Sequence, residues 1–579
     1  MQLNGAQLMV RLLERQGVRT IAGIPGGAIL PFYDALSGSE QIRHVLARHE
    51  QGAGFMAQGM ARVSGVPQVC IASSGPGATN LVTAIADACL DSIPMVVITG
   101  QVPQAMIGTD AFQEVDIYGI TVPITKHNFL VRSAQELLEV VPNAFRIAMS
   151  GRPGPVLIDV PKDVQNQLIT IDEGELPAPA VADPTPPLDM AAVEAAAQMI
   201  NAAERPVLYL GGGVVASGAA PLAVQLAEQA GLPTTMTLMG LGAMAIDHPL
   251  SIGMLGMHGA RYTNFVLEES DLLIVVGARF DDRVTGKVNG FAPDAKIIHV
   301  DIDPAEQGKV RKPDVPIVGD CRLVIEEMVK AIQELLQGGT SQADLNPWRS
   351  RVSGWQEQFP LMYEQSEPGG PLKPQYCLEK LRDAAPEGTI LVSGVGQHQM
   401  WSSQYWKFNE PYTWVNSGGL GTMGFSVPAA IGAKVGRPDK TVWAVDGDGC
   451  FQMTAQELVT ASLERIPVKI AILNNSYLGM VRQWQEMFYE ERYSEVYLSQ
   501  DTPNYVKWAE AMGCVGIRVD DQSEVASAID KANSINDRPV VVDFRVDAGE
   551  KVFPMVAAGQ SNDDLMLHPS QNSRREFLR

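Results

Sequence analysis

The chain has 579 residues, 46% of them hydrophobic and 19% charged, with a formal net charge of −22. That length predicts three or four domains with ample core. The acidic balance, with no Lys/Arg run longer than two, argues against nucleic acid or an anionic membrane as partner.

At the start, Asn4 and Gln7 form a capping-box pattern opening a helix, and no signal or transit segment precedes it. The first block, 1–170, alternates helical patterns with apolar runs at 69–72, 95–99 and 156–160. A Pro- and acid-rich stretch, 172–188, reads as a linker. The second block, 190–335, has apolar runs at 207–210, 272–276 and 297–300. Within it 206–227 carries no charge, but Gly211, Gly212, Gly213, Gly218 and Pro221 exclude a lone membrane helix. It reads as a buried strand, a glycine turn and a helix. A second linker, 338–374, contains a tryptophan-bearing helical piece. The third block, 375–550, has runs at 390–393, 442–445, 469–473 and 540–544, and a polar tail, 551–579, follows. Continuous apolar strands between helices predict an α/β protein of three consecutive doubly wound parallel-sheet domains. The six cysteines show no CxxC spacing, as expected of reduced thiols in a cytoplasmic protein.

The most specific chemistry lies in the third block. Gly447-Asp448-Gly449 and Asn474-Asn475 each follow an apolar run, and 453–466 between them reads as a helix. A strand–helix–strand crossover places Asp448 and Asn475 at the carboxyl ends of neighbouring parallel strands, where α/β sheets hold ligands. A carboxylate and an amide oxygen beside glycines suit Mg²⁺ bridging a diphosphate. The pair resembles the fingerprint of thiamine diphosphate (ThDP) enzymes.

Other motifs are weaker alone. Gly419, Gly421 and Gly424 match a dinucleotide GxGxxG spacing, but 412–416 is too short and polar-ended for a clear preceding strand. A tight loop over a ligand, with Met423 at its tip, fits better. Glu50 opens a helix of small residues. Such a Glu compensates the helix dipole in most proteins; beside a ThDP motif it becomes the carboxyl that hydrogen-bonds the pyrimidine nitrogen, with a pKa raised by burial. The Ser73–Asn80 loop and the Pro25-Gly26-Gly27 turn fit either a ligand-facing loop or a close-packed turn. In the middle block, Gly212, Arg279, Asp281, Asp301, Asp303 and Asp320 fit a nucleotide site or a surface salt-bridge cluster equally. The histidines show no metal spacing, and no GxSxG elbow is present.

Taken in order, the motifs around Pro25, Arg48-His49-Glu50, Gly108–Glu114, Gly151-Arg152, Gly277–Arg283, Gly396–Trp401, Gly418–Gly424 and the GDG/NN pair resemble the catalytic large subunit of acetohydroxyacid synthase, also called acetolactate synthase, from about residue 5 to 554. The resemblance implies a pyrimidine-binding domain (1–170), a central FAD-binding domain (190–335) and a diphosphate-binding domain (375–550). It implies decarboxylation of pyruvate on ThDP and transfer of the hydroxyethyl group to a second 2-oxo acid. The products would be 2-acetolactate or, from 2-oxobutyrate, 2-aceto-2-hydroxybutyrate, on the route to valine, leucine and isoleucine.

By the same resemblance Mg²⁺ is held by Asp448, Asn475 and the Tyr477 carbonyl. ThDP is held by Pro25, Glu50, Gly396, Gln397, His398, Gly421, Met423, Gly447, Gly449, Gly479 and Met480. Glu50, Gln113 and Met423 are the catalytic candidates, and Phe112, Lys162, Arg283 and Trp484 the substrate contacts. Arg152, Gly212, His258, Gly259, Arg279, Asp301, Asp303 and Asp320 are the candidates for a structural FAD. A guanidinium fork at Arg283 suits a carboxylate. An apolar wall at Trp484 rewards an extra methylene by about 1–3 kcal/mol, which predicts a preference for 2-oxobutyrate as acceptor. A homodimer or homotetramer with intersubunit sites is implied, together with a small regulatory subunit. The rival within the cofactor class is a FAD/ThDP enzyme such as pyruvate oxidase; from another class, a nucleotide-binding module without catalysis. The tail 551–579 either closes over the site or stays disordered.

Overall fold

A computed structural model of the chain describes residues 1–569. Each block is built on a six-stranded sheet in which every pairing is parallel. In the first block the strands lie in the order Arg43–Leu46, Thr20–Gly23, Gln68–Ala72, Met95–Gln101, Pro155–Pro161 and His127–Leu130. In the third they lie as Trp414–Asn416, Ile390–Ser393, Val442–Gly447, Lys469–Asn474, Val540–Arg545 and Val515–Val519. Numbered by chain position within each domain, both orders are 2-1-3-4-6-5, so the outer domains share one topology. The middle sheet runs Ser251–Met254, Thr234–Met236, Pro206–Leu210, Leu272–Val276, Lys296–Asp301 and Val315–Val318, which is the order 3-2-1-4-5-6 of dinucleotide-binding sheets.

The central strands are buried along their whole length: Met95–Gln101, Pro155–Pro161, Pro206–Leu210 and Leu272–Val276 expose nothing appreciable. Helices cover both faces, as parallel sheets require. All ten apolar runs named from the sequence are strands. The predicted helix over 453–466 is shorter, Glu457–Leu463, and a separate helix, Asp448–Phe451, precedes it. The turn between them is fixed by side chains that bond backbone: Thr454 donates to the Gly424 carbonyl at 2.7 Å and Gln452 to the Asp448 carbonyl at 3.2 Å. Such local competition interrupts a helix. Residues 412–416, judged too short for a strand, contain the edge strand Trp414–Asn416.

Residues 172–188 carry only one short helical turn, Glu173–Glu175. The tryptophan-bearing piece of the second linker is the helix Asn346–Gln358, and its Trp348 donates to the Pro206 carbonyl at 3.1 Å, joining it to the middle sheet. The six cysteines are free thiols. Of the tail, Met555, Val556, Leu565 and Leu567 pack with Met257 of the middle block, and the Val556 amide donates to the Met257 carbonyl at 2.9 Å. Residues 570–579 lie outside the described part. Among the described residues no helix is long and apolar enough to cross a membrane.

The outer domains meet through two helices, Glu50–Ser64 and Ser426–Gly436. The contact is backbone against backbone. A Cβ on Gly59 would collide with the Ala429 carbonyl, and one on Gly432 with the Met56 carbonyl. Gly432→Ala is therefore an overpacking change and should cost about 1–3 kcal/mol. A thermal unfolding midpoint equal to that of the wild type would refute this account of the helix pair.

Candidate active site

The third sheet reverses strand order between Ile390–Ser393 and Val442–Gly447, and a cavity opens at the carboxyl ends there, as expected at a switch point. Gly396, Gln397, His398, Met423, Gly447, Asp448, Gly449, Asn475, Tyr477, Gly479 and Met480 line it, so the structure brings together nearly all of the diphosphate-side residues. Gly421 is exposed in the same loop as Met423, at φ 71°. Asp448 is buried, and its Oδ2 has no hydrogen-bond partner. Burial pushes its carboxyl up to about 7. A buried, unpartnered carboxylate oxygen is costly and fits a cation ligand. Asn475 gives its amide to Gln397 Oε1 at 3.1 Å, and its Oδ1 accepts from the Tyr477 amide at 3.1 Å. Gly479 leaves the room: a Cβ there would strike Gln397 and Asn475. Beneath the cavity His398 Nε2 stands 3.5 Å from Asp446 Oδ1. Burial drives this imidazole down to about 3, which keeps it neutral.

The first domain presents a second cluster at its own carboxyl edge. Glu50 opens its helix half-buried, less enclosed than the sequence argument supposed. Asn80 donates to Glu50 Oε2 at 2.9 Å, leaving Oε1 for another partner. Glu457, which the sequence did not single out, holds the approach to this helix. It is fully buried, accepts from the Arg48 amide at 3.1 and 3.0 Å and from the His49 amide at 2.9 Å, and needs Gly52 to be side-chain-free. Gln113 sits at φ 60° directly over Gly75. Its loop is tied by Glu114, which accepts from the amides of Gly108, Thr109 and Ala111; these bonds, the one from Gly108 foremost, hold its carboxyl below the usual range. Phe112 on this loop is 87% exposed. Pro25 is exposed in the neighbouring turn, and Lys162 is half-buried where the strand Pro155–Pro161 ends. The diphosphate-side cavity is lined by third-domain residues only; Glu50, Phe112 and Gln113 do not reach it within one chain.

Trp484, on the helix Gly479–Phe488, lines an outer cavity with Met480, Val481, Gln485 and Tyr489. Met480 and Val481 wall both this cavity and the diphosphate-side one. Arg283 projects from the middle domain with its side chain 59% exposed, its Nη1 3.7 Å from Met257 Sδ.

The middle sheet's switch point holds a cavity of ≈ 360 Å³. Arg152, Gly212, Arg279, Asp301 and Asp320 line it. Gly211 and Gly213 lie so close to Gly277 that a Cβ on either would collide with it, the close backbone approach that dinucleotide folds use. Asp320 caps the helix Cys321–Gln337. Asp301 is raised to about 6 by burial. Asp303 stands behind the wall, 3.5 Å from Arg152. His258 and Gly259 lie outside this lining. The His258 carbonyl accepts from Gln404 at 2.9 Å, and burial lowers the imidazole to about 4.

Three family models match the chain: the N-terminal TPP binding domain (residues 3–120), the central domain (193–328) and the C-terminal TPP binding domain (394–544) of thiamine pyrophosphate enzymes. The chain is 53% identical over 568 residues to acetolactate synthase of Mycobacterium bovis, covering 97% of this chain and 91% of that protein. It is 52% identical over 568 residues to the acetolactate synthase large subunit of Corynebacterium glutamicum, covering 97% and 90%. With acetolactate synthase isozyme 1 large subunit of Escherichia coli K12 the identity is 50% over 569 residues, covering 98% of each.

Glu457→Ala strips the partner from two amides that lead into the Glu50 helix, each orphaned donor costing about 1–3 kcal/mol. Turnover should fall about tenfold or more, because a misplaced catalytic group loses rate steeply, while cation binding at Asp448 stays unchanged. Wild-type turnover would show that Glu50 is placed without it.

Proposed function

The chain belongs to the family of acetolactate synthase large subunits, and we propose that its two carboxyl-edge clusters form one active site joining pyruvate to a second 2-oxo acid. The observation that carries this reading is the buried, unpartnered Oδ2 of Asp448 in a cavity that shares Met480 and Val481 with the Trp484 cavity. Asp448, Asn475 and the Tyr477 carbonyl would hold Mg²⁺. Gly396, Gln397, His398, Gly447, Gly449 and Gly479 would hold the diphosphate. Bound there, ThDP supplies a nucleophilic carbon and an electron sink for loss of CO₂. Glu50 Oε1, left over by Asn80, would hold the proton shared with the pyrimidine nitrogen. Met423 would prop the cofactor's bend; an unbranched thioether adapts to such a gap.

The acceptor would enter past Trp484. Arg283 would take its carboxylate by a bidentate pair, and Phe112, Gln113 and Lys162 would close the opposite wall. In one chain neither Glu50 nor any other first-domain residue lines the cavity at Asp448. This supports a homodimer, or a tetramer of dimers, in which Glu50 of one copy serves the cavity of another. A small regulatory subunit and a cytoplasmic setting complete the reading. The middle cavity fits FAD, held by Gly212, Arg152, Arg279, Asp301 and Asp320, with Asp303 behind Arg152 and with His258 and Gly259 near its approach.

Incubation with pyruvate, ThDP, Mg²⁺ and FAD should yield a product that acid converts to acetoin; oxygen uptake in its place would overturn the carboligase reading. With pyruvate and 2-oxobutyrate offered equally as acceptors, 2-aceto-2-hydroxybutyrate should predominate, and Trp484→Ala should reduce that preference by about 10-fold or more, the worth of one buried methylene. Dominance of acetolactate in the wild type would sink the role given to Trp484. Because burial holds the Asp448 carboxyl near 7, Mg²⁺ must displace its proton at lower pH. Apparent Mg²⁺ affinity should fall about tenfold per unit below about pH 7 and level off above it; calorimetric titration showing no pH dependence would contradict Asp448 as a ligand.

A further inference from the structure

The loop 417–424 carries Met423 into the cavity wall, and its amides are held largely by side chains. Gly418 and Gly419 donate to the two oxygens of Asp91 at 3.0 and 2.7 Å. The hydroxyl of Ser417 and that of Thr422, the latter at 2.9 Å, both donate to Asp87 Oδ1. The Thr422 amide donates to Ser417 Oγ at 2.8 Å. At the far end Gly424 donates to Cys450 Sγ at 3.0 Å, and its carbonyl accepts from Thr454 at 2.7 Å. The two aspartates stand at the end of the helix Val82–Leu90 and just beyond it, in the first domain.

Two adjacent carboxylates would repel each other and the interior. Arg62 sits between them, with Nη2 3.3 Å from Asp87 and 2.8 Å from Asp91, and its guanidinium lies 5.2 Å from the centre of the Phe425 ring, just after the loop. The three side chains are 5%, 0% and 1% exposed for Arg62, Asp87 and Asp91. Breaking a buried pair by removing one partner is strongly destabilising, and the hydrogen bonds these three side chains make to one another and to the loop fix one geometry. Gly419 makes the approach possible, since a Cβ there would meet Asp91 Oδ1 at 2.9 Å. This arrangement spends three buried charges on a glycine-rich loop whose one large side chain facing the cavity is Met423.

We propose that Arg62, Asp87 and Asp91 are positioning residues for the reaction, a first-domain clamp that fixes loop 417–424 and so sets where Met423 stands in the cofactor cavity. They act through the loop and stay outside the ThDP-side cavity, although Arg62 and Asp91 also line the middle cavity. The inference rests on Met423 lying in the cofactor cavity, so wild-type activity and ThDP binding are measured first; their absence would count against that reading and not against the clamp.

The test is a double-variant cycle on the holoenzyme, with ThDP affinity read from intrinsic tryptophan fluorescence at saturating Mg²⁺ and with kcat measured alongside. Asp91→Asn puts an NH2 against either the Gly418 or the Gly419 amide, leaving an acceptor for only one of them. Thr422→Val removes the hydroxyl given to Asp87 at constant shape and serves if the first variant does not fold. Each should weaken ThDP binding or lower kcat about tenfold, the worth of a lost buried hydrogen bond. Thr422→Ser should return to within about twofold. Met423→Ala should produce its own loss, and combining it with either clamp variant should add little further, because both act through one side chain. A folded clamp variant that matches the wild type, or whose penalty multiplies fully with that of Met423→Ala, overturns the proposal. A lowered thermal midpoint with unaltered ThDP affinity and kcat overturns it too.

Discussion

Burying a carboxylate costs several kcal/mol unless a proton, a donor or a cation compensates it. At Asp448 the protein leaves that compensation incomplete. The residue is 1% exposed, and its Oδ2 has no donor. Strand pairing enforces the position: Val442–Gly447 runs parallel to Lys469–Asn474 with Gly447 beside Leu473, which sets Asp448 level with Asn474, one residue before Asn475. The glycines, Gln397 and neutral His398 are arranged around that oxygen. A cation with a diphosphate would complete the set, and its binding would repair a defect the fold builds in.

The same strand order in the first and third domains means that each presents its loops at equivalent sheet edges. One edge holds Glu50, whose Oε2 accepts from Asn80; the other holds Asp448 with its unpartnered Oδ2. The cavity at Asp448 is lined by third-domain residues alone. Yet the chain also locks its own two outer domains together through the glycine-lined helix pair and through Glu457. A two-fold contact with a second copy would serve both half-sites at once.

Much of this was legible from residue order. Interior strands such as 272–276 and 442–445 are unbroken apolar runs because they are buried on both faces. The strands that gave no such signal are chiefly the sheet edges, among them Arg43–Leu46, His127–Leu130, Trp414–Asn416 and Val515–Val519, which are short or half-exposed and carry polar residues. Asp448 and Asn475 were legible because they directly follow strands and sit among glycines. Glu457, Asp87 and Asp91 were not. Each is an acid within or at the end of an ordinary helix, indistinguishable in sequence from a solvated one, and its partners lie in another domain; Asp87 and Ser417 are 330 positions apart. The break at 452–456 was hidden for the same reason, since Thr454 bonds Gly424 on another loop.

Arg62 and Asp91 also stand in the wall of the middle cavity, together with Leu90 and Met239. Met239 packs closely on Gly418, so that a Cβ there would displace its thioether. All three domains therefore meet at one charged joint: the first supplies the acids and the guanidinium, the third the Met423 loop, and the middle one the cavity behind them. Protein interiors are close-packed, and an empty wall loses contacts on one side. A group that fills the middle cavity thus supports the same residues that grip the loop. A flavin dinucleotide held in that cavity would therefore have a physical use that requires no electron to leave its ring.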